Sequence, residues 1–143
     1  MLDCIPSLHS TTAALDAERI RLDVIAQNIA NANTTRGPDG KPYQRREVVF
    51  ETVLQNAQAQ AGSANAIPIP HVSNIKTDPS PGAAVYEPGH PDADGNGMVH
   101  LPNVNIFNEM ADMIVASRTY EANLAVLKNG RAMAMQALSL GKH

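Results

Sequence analysis

From Ser7 to Thr34 the apolar positions Leu8, Leu15, Leu22 and Ile29 recur every seven residues, with Ala14, Ile25 and Ala32 close to the same stripe. That spacing predicts a helix about 42 Å long. Ala17, Ile20 and Val24 widen the apolar surface beyond one seam, so the helix is expected to touch more than one neighbour. Arg36, Gly37 and Pro38 supply a cation, a flexible residue and a breaker, which mark its end. A second helix is predicted over Asn105 to Leu140, where Met113, Ser117, Tyr120, Leu124, Leu127, Arg131, Ala134 and Leu138 follow alternating steps of four and three. At about 54 Å it is far longer than the roughly 11 to 12 residues usual for globular domains. Ser117 and Arg131 weaken this seam, and Gly130 marks either a close approach of a neighbouring helix or a tolerated weak point.

Between the two helices the pattern changes. Nine of the ten prolines lie between Pro38 and Pro102, and proline breaks helix interiors by removing a donor and clashing with the preceding turn. Val48, Phe50 and Thr52 alternate within Arg46 to Leu54, which predicts a half-buried strand. Ile67 to Ile75 is punctuated by proline and belongs at a sheet edge, while Ala83 to Tyr86 and Gly97 to Leu101 supply further short strands. The run NAQAQAGSANA within 55–66 has too little bulk to anchor a core and is expected to be flexible. The expected fold is mainly α, with a small β-rich middle between two long terminal helices. The expected division is an N-terminal helix over 1–36, a middle module over 37–103 and a C-terminal helix over 104–143.

Composition changes this picture in one respect. The 143 residues include 21 Ala but only two Phe, three Tyr and no Trp, so an aromatic-rich core is excluded and close helix packing is favoured. A net charge of −3 gives no basic face for nucleic acid. No apolar run approaches the roughly 20 residues that span a bilayer, and no basic and apolar leader opens the chain, so a soluble chain without membrane insertion is expected. The single Cys4 cannot form an internal disulfide.

Candidate chemistry is sparse. No phosphate loop, dinucleotide fingerprint, nucleophile elbow or zinc spacing occurs, and the five histidines form no pair at helical ligand spacing. Neither an enzyme nor a cofactor is expected. Asp92, Asp94, Asn96 and Gly97 match half a calcium loop, but Asn103 stands where the bidentate Glu belongs, so a turn is the preferred reading. Arg36, Lys41, Arg45 and Arg46 flank a turn at Gly37 to Pro42 and fit either a solvated hairpin or an electrostatic contact with an acidic neighbouring subunit.

The string NIANANTT at Asn28 to Thr35, preceded by LDVIAQ, resembles the N-terminal signature of the flagellar rod and hook proteins. Asn28, Asn31, Asn33, Thr34 and Thr35 carry the match, and such residues near a helix end can bond side-chain amides to adjacent backbone. The segment NEMADMIVASRTYEANLAVLKNGRAMAMQALSLG is similar to the terminal helix of that family. Where many members continue with Thr-Pro-Gly-aromatic, this chain has TTRGPDGKPYQRREVVFE, and HPDADGNGMVHLPNVN precedes the last helix; both resemble the proximal-rod members rather than the longer hook protein.

The resemblance implies a structural subunit of the bacterial flagellar basal body in the periplasmic rod. Its partners would be copies of itself, other rod subunits and the flagellar type III export apparatus. It also implies terminal helices that pair as a coiled coil, pack laterally with those of other subunits and transmit torque towards the hook. Leu15, Leu22, Ile25, Ile29, Met113, Tyr120, Leu124, Leu127 and Leu138 are the expected packing residues, and Phe50 with Leu54 resembles a short export signal. A soluble coiled-coil adaptor or secretion chaperone is the alternative that explains the heptads without the family-like ends.

Overall fold

The computed structural model describes residues 6–55 and 67–140. In chain order these form α1 (Pro6–Ala30), β1 (Arg46–Gln55), β2 (Ile67–Thr77), β3 (Ala84–Tyr86), β4 (Met98–His100) and α2 (Ile106–Leu140). The expected mainly α architecture with a small β middle is present. Apart from Gln55, the segment 55–66 that was expected to be flexible lies outside the described residues.

Helix α1 stops four residues before the expected Thr34, and the asparagines are the reason. The Asn31 amide nitrogen donates to the Gln27 carbonyl at 2.8 Å, and the Thr34 hydroxyl donates to Asn31 Oδ1 at 3.2 Å. These bonds satisfy groups that a helix end leaves open, so the chain turns over Asn31 to Asn33 well before Gly37. Helix α2 begins close to its expected start. Asn105 caps it, accepting from the backbone N–H of Phe107 at 3.0 Å and of Asn108 at 3.3 Å.

The two helices run antiparallel, with Leu8 lying against Gly130 at one end and Asn28 against Glu109 at the other. A Cβ added at Gly130 would stand 2.8 Å from Leu8 Cδ2, so this glycine marks a close approach. The contact seam of α2 is offset from the expected one. Met113, Tyr120, Leu127 and Ala134 lie partly buried on it as expected, but Ala116 is 0% exposed beside the half-buried Ser117, and Gly130 replaces the exposed Arg131. Small residues win these places because they let the helix backbones approach.

Strands β1 and β2 form an antiparallel ribbon, and β3 and β4 a separate short hairpin. Arg46 faces Thr77 and Val48 faces Ile75; then Ser73 bulges out of β2, so that Phe50 faces Val72 and Thr52 faces Pro70. The expected half-buried alternation of β1 is corrected: Val48 is partly buried, but Phe50 and Thr52 are exposed, as is Val53. Helix α1 packs more extensively on β2 than on β1, and among the described residues nothing covers the far half of β1. Thus α1 touches α2 and both strands, as its broad apolar surface predicts.

The β3–β4 turn is built on Asp94, whose carboxylate accepts from the backbone N–H of Asn96 at 2.8 Å and of Met98 at 2.9 Å. Gly97 follows with a φ of 77°. These hydrogen bonds hold the Asp94 carboxyl below its ordinary value of 3.8, with His100 nearby adding to the effect. A lowered folded value stabilises the turn fully above pH 3.8, and the contribution disappears as the pH falls through it. Amide chemical shifts of Asn96 and Met98 should therefore move at a pH below 3.8; a midpoint at or above that value would remove the turn's carboxylate from this role.

Candidate assembly site

The buried polar centre of the chain sits where the end of α1, the start of β1 and the first turns of α2 meet. Asn28 is 1% exposed, and its amide makes four hydrogen bonds. Its nitrogen donates to the Arg46 carbonyl at 2.8 Å and to Glu109 Oε2 at 3.0 Å. Its oxygen accepts from the Arg46 backbone N–H at 3.0 Å and from the Tyr43 hydroxyl at 2.9 Å. Two donors and two acceptors exhaust what an amide can offer. Asn28 therefore takes the place of a neighbouring strand at Arg46, using both backbone groups that point away from β2.

Glu109, also 1% exposed, is the charged member of the centre. Arg45 Nε donates to Glu109 Oε1 at 2.6 Å, and the same guanidinium lies 3.7 Å from Asp112 and 4.0 Å from Glu47. The hydrogen bond to Glu109 is the main reason the Arg45 guanidinium holds its proton more tightly than usual. Burial pushes the Tyr43 phenol above its ordinary 10.0, opposed by the charge of Arg46 and reinforced by that of Glu109. Asn103 is a second amide clasp: it accepts from the Arg45 N–H at 2.7 Å and donates to the Asp78 carbonyl at 3.2 Å, bridging the end of the β1–β2 ribbon. The centre locks three elements to one another and leaves no displaced nucleophile or open ligand set; among the described residues no cluster of His, Cys, Asp and Glu is arranged to hold a metal ion.

The structure separates the expected site residues. Of the Asn-rich string, Asn28 enters the centre, Asn31 and Thr34 close the helix, and Thr35 donates to Asp92 at 2.7 Å, while Asn33 is exposed. The basic group is not one surface: Arg45 is committed to Glu109, Arg36 lies 3.6 Å from Asp92, and Lys41 and Arg46 are exposed. The Asp92 carboxylate thus faces the Thr34–Tyr43 loop, and that of Asp94 faces its own turn. Leu15 and Ile25 are buried inside the chain, Leu22, Ile29, Met113, Tyr120, Leu124 and Leu127 are partly buried, and Leu138 is exposed beyond the described start of α1.

Sequence reasoning missed Glu109, Tyr43 and Asn103. The expected seam gave no sign of Glu109: continued back from Met113 by its next step, of three, it lands on the exposed Met110.

Away from α1, helix α2 presents apolar side chains that the described residues leave uncovered. Phe107 is 84% and Ile114 63% exposed, with Met110 and Val115 beside them and Val126 and Met133 further along. Phe107 and Ile114 lie two helical turns apart on one side. No helix among the described residues is long and apolar enough to cross a membrane.

Comparison with known proteins places this arrangement. Residues 8–38 match the family model described as "Flagella basal body rod protein", and residues 96–140 match that described as "Flagellar basal body rod FlgEFG protein C-terminal". The first match spans α1 with Asn28, and the second spans β4 and α2 with Glu109. The chain is 41% identical over 130 residues to the flagellar basal-body rod protein FlgC of Yersinia enterocolitica, covering 91% of this chain and 92% of the relative. To the proteins of the same name from Borreliella burgdorferi and Bacillus subtilis it is 39% identical, covering 94% and 95% of this chain and 95% and 97% of those relatives. With such identity along almost its whole length, the chain belongs to the FlgC family of flagellar basal-body rod proteins.

Proposed function

We propose that the chain is a structural, non-catalytic subunit of the proximal rod, built in through α2 and passing torque along the rod in the periplasm. The observation that carries this reading is the apolar surface of α2 that the described residues leave uncovered: the helix packs one side on α1 and keeps Phe107, Ile114 and Val126 in solvent. Exposed apolar surface of this extent on a helix marks an interaction site. Family membership implies assembly with other flagellar rod and basal-body components, and copies of the chain itself are the further partners.

In this reading the antiparallel helices act as a coiled coil within the subunit. Leu15 and Ile25 support its interior, while Leu22, Ile29, Met113, Tyr120, Leu124, Leu127 and Leu138 are available to repack against neighbours. Their burial in the assembly offsets the ordering of a 35-residue helix. Phe50 and Leu54, four residues apart in the sequence, serve as an export signal read in the unfolded chain by the type III apparatus. Residues 37–103 form the middle module between the helices.

Co-assembly with other rod subunits, viewed by electron microscopy, tests the reading. Ile114→Glu places a charge on the uncovered side and should reduce co-assembly at least tenfold while leaving the melting curve of the isolated chain unchanged. A chain that bound one rod component without entering a filament would support the adaptor or chaperone alternative, and normal filaments from Ile114→Glu would overturn the assigned surface.

A further inference from the structure

A glycine nitrogen has no side chain to shield it, so it can attack the side-chain carbonyl carbon of a preceding asparagine or aspartate. Four such pairs occur in the chain: Asp39–Gly40, Asp94–Gly95, Asn96–Gly97 and Asn129–Gly130. An ionised carboxylate resists this attack, which sets the two aspartates aside; Asp94 in particular is held below its ordinary value of 3.8. The Gly40 N–H is also occupied, donating to the Gly37 carbonyl at 3.0 Å. Gly130 lies in the interior of α2, where the helical ladder takes its N–H. Asn96 differs from all of these. Its side chain is a neutral amide, exposed in the β3–β4 turn, and only that turn restrains it.

The restraint is supplied by Asp94. Its carbonyl accepts from the Gly97 N–H at 2.9 Å, and its carboxylate accepts from the Asn96 and Met98 N–H groups at 2.8 and 2.9 Å, on either side of that glycine. Gly97 itself is held at a φ of 77°, its carbonyl accepts from the Glu87 N–H at 2.9 Å, and a Cβ on it would stand 3.0 Å from Tyr86 Cε2 and 3.1 Å from Pro88 Cβ. We propose that Asn96 is a self-modification site, a latent deamidation site that Asp94 keeps closed. When the turn opens, the Gly97 nitrogen attacks Asn96 Cγ, and the side-chain nitrogen leaves as ammonia with the proton that the Gly97 nitrogen gives up. Water then opens the resulting succinimide at one of its two carbonyls, which yields aspartate or isoaspartate at position 96.

Opening is a local event. The hairpin has only three residue pairs, and all of β3 is exposed, so it parts more readily than the packed helices. Either product places a new negative charge beside Asp92 and Asp94. Isoaspartate also lengthens the main chain within the turn, so the Asp94 carboxylate no longer spans the N–H groups of residues 96 and 98. Asp92, just before this turn, joins it to the loop after α1 through the Thr35 hydroxyl at 2.7 Å and Arg36 at 3.6 Å. Modification at Asn96 therefore loosens the tie between the hairpin and that loop. This site is independent of the uncovered side of α2.

The test is to incubate the full chain in mildly alkaline buffer and follow Asn96 and Asn129 by peptide mapping with mass spectrometry. Urea added below the global unfolding transition should speed modification of Asn96 by about tenfold or more and leave Asn129 unchanged. Folded Asp94→Ala should modify Asn96 about tenfold faster than its parent, with amide exchange at Gly97 accelerated alike and the helical circular dichroism retained. Should that variant lose its helices, the urea series on the parent decides in its place. Equal rates at Asn96 in folded and fully unfolded parent would overturn the proposal, as would a helical Asp94→Ala chain that modifies like its parent. So would Asn96 and Asn129 rising together in urea, since the protection would then belong to the whole fold and not to the Asp94 turn.

Discussion

Asn28→Ala should destabilise the chain by about 3 kcal/mol, because one truncation strips partners from four groups at a buried site. The Arg46 N–H and C=O lose the amide that stands in for a strand, Glu109 loses one of its donors, and Tyr43 loses its acceptor. Water can reach Tyr43, which is partly exposed, so not all four penalties apply in full. For a chain of this size the loss corresponds to a fall in melting temperature of about 10 °C, read from helical circular dichroism. Asn28→Asp sharpens the test. It keeps the size and the acceptor but replaces the donating nitrogen with an oxygen facing Glu109, and it should be at least as harmful as alanine at neutral pH. Asn33→Ala, in the same string but exposed, should change stability by less than about 0.5 kcal/mol. Equal effects at Asn28 and Asn33 would mean that the string is held by something other than the buried amide.

That contrast also shows how much of the molecule the chain states openly. Local signals placed both helices and all four strands, since proline density, heptad spacing and Asp-Asn-Gly turns act over a few residues. The Asn-rich string was visible as a family-like signature, yet nothing near it says that Asn28 alone turns inward. That selection depends on Glu109, which is 81 positions away, and on the backbone of Arg46. Arg45 looked like one of four surface cations until Glu109 and Asp112 closed around it.

The helix seam was legible at most positions, and where the contact departs from it the physical reason is different. Apolar residues occur nearly all round α2, so periodicity marks a direction only loosely, and large residues attract the assignment. The antiparallel partner instead selects Ala116 and Gly130, whose small size permits close approach, and leaves Ile114 and Met133 outside. A helix apolar on both sides within a small chain is legible as a helix that needs two kinds of neighbour. Which side meets which neighbour is decided by packing.

The second large effect is expected at Gly82, a position without any family-like or chemical signal. A Cβ there would stand 1.8 Å from the Leu101 carbonyl oxygen and 2.8 Å from the Pro102 carbonyl carbon. Both obstacles are backbone, so no rotamer change relieves the clash. The two segments must separate, and the first bond at risk is that from the Leu101 N–H to the Ala83 carbonyl, at 2.8 Å, which closes the β3–β4 hairpin. Pro102 is buried and Asn103 follows it, so movement there also disturbs the bridge from Asn103 to Arg45 and Asp78. Gly82→Ala should therefore cost about 3 kcal/mol, at the upper end of ordinary overpacking, and weaken the amide exchange protection of Leu101 before that of α2. Gly95→Ala is the matched control, since nothing lies within 4 Å of its Cβ; there the reduced freedom of the unfolded chain should leave stability unchanged or slightly higher. If Gly82→Ala melts like Gly95→Ala, then the hairpin and the entry to α2 are not packed through this contact, and the polar centre at Arg45 must be held without it.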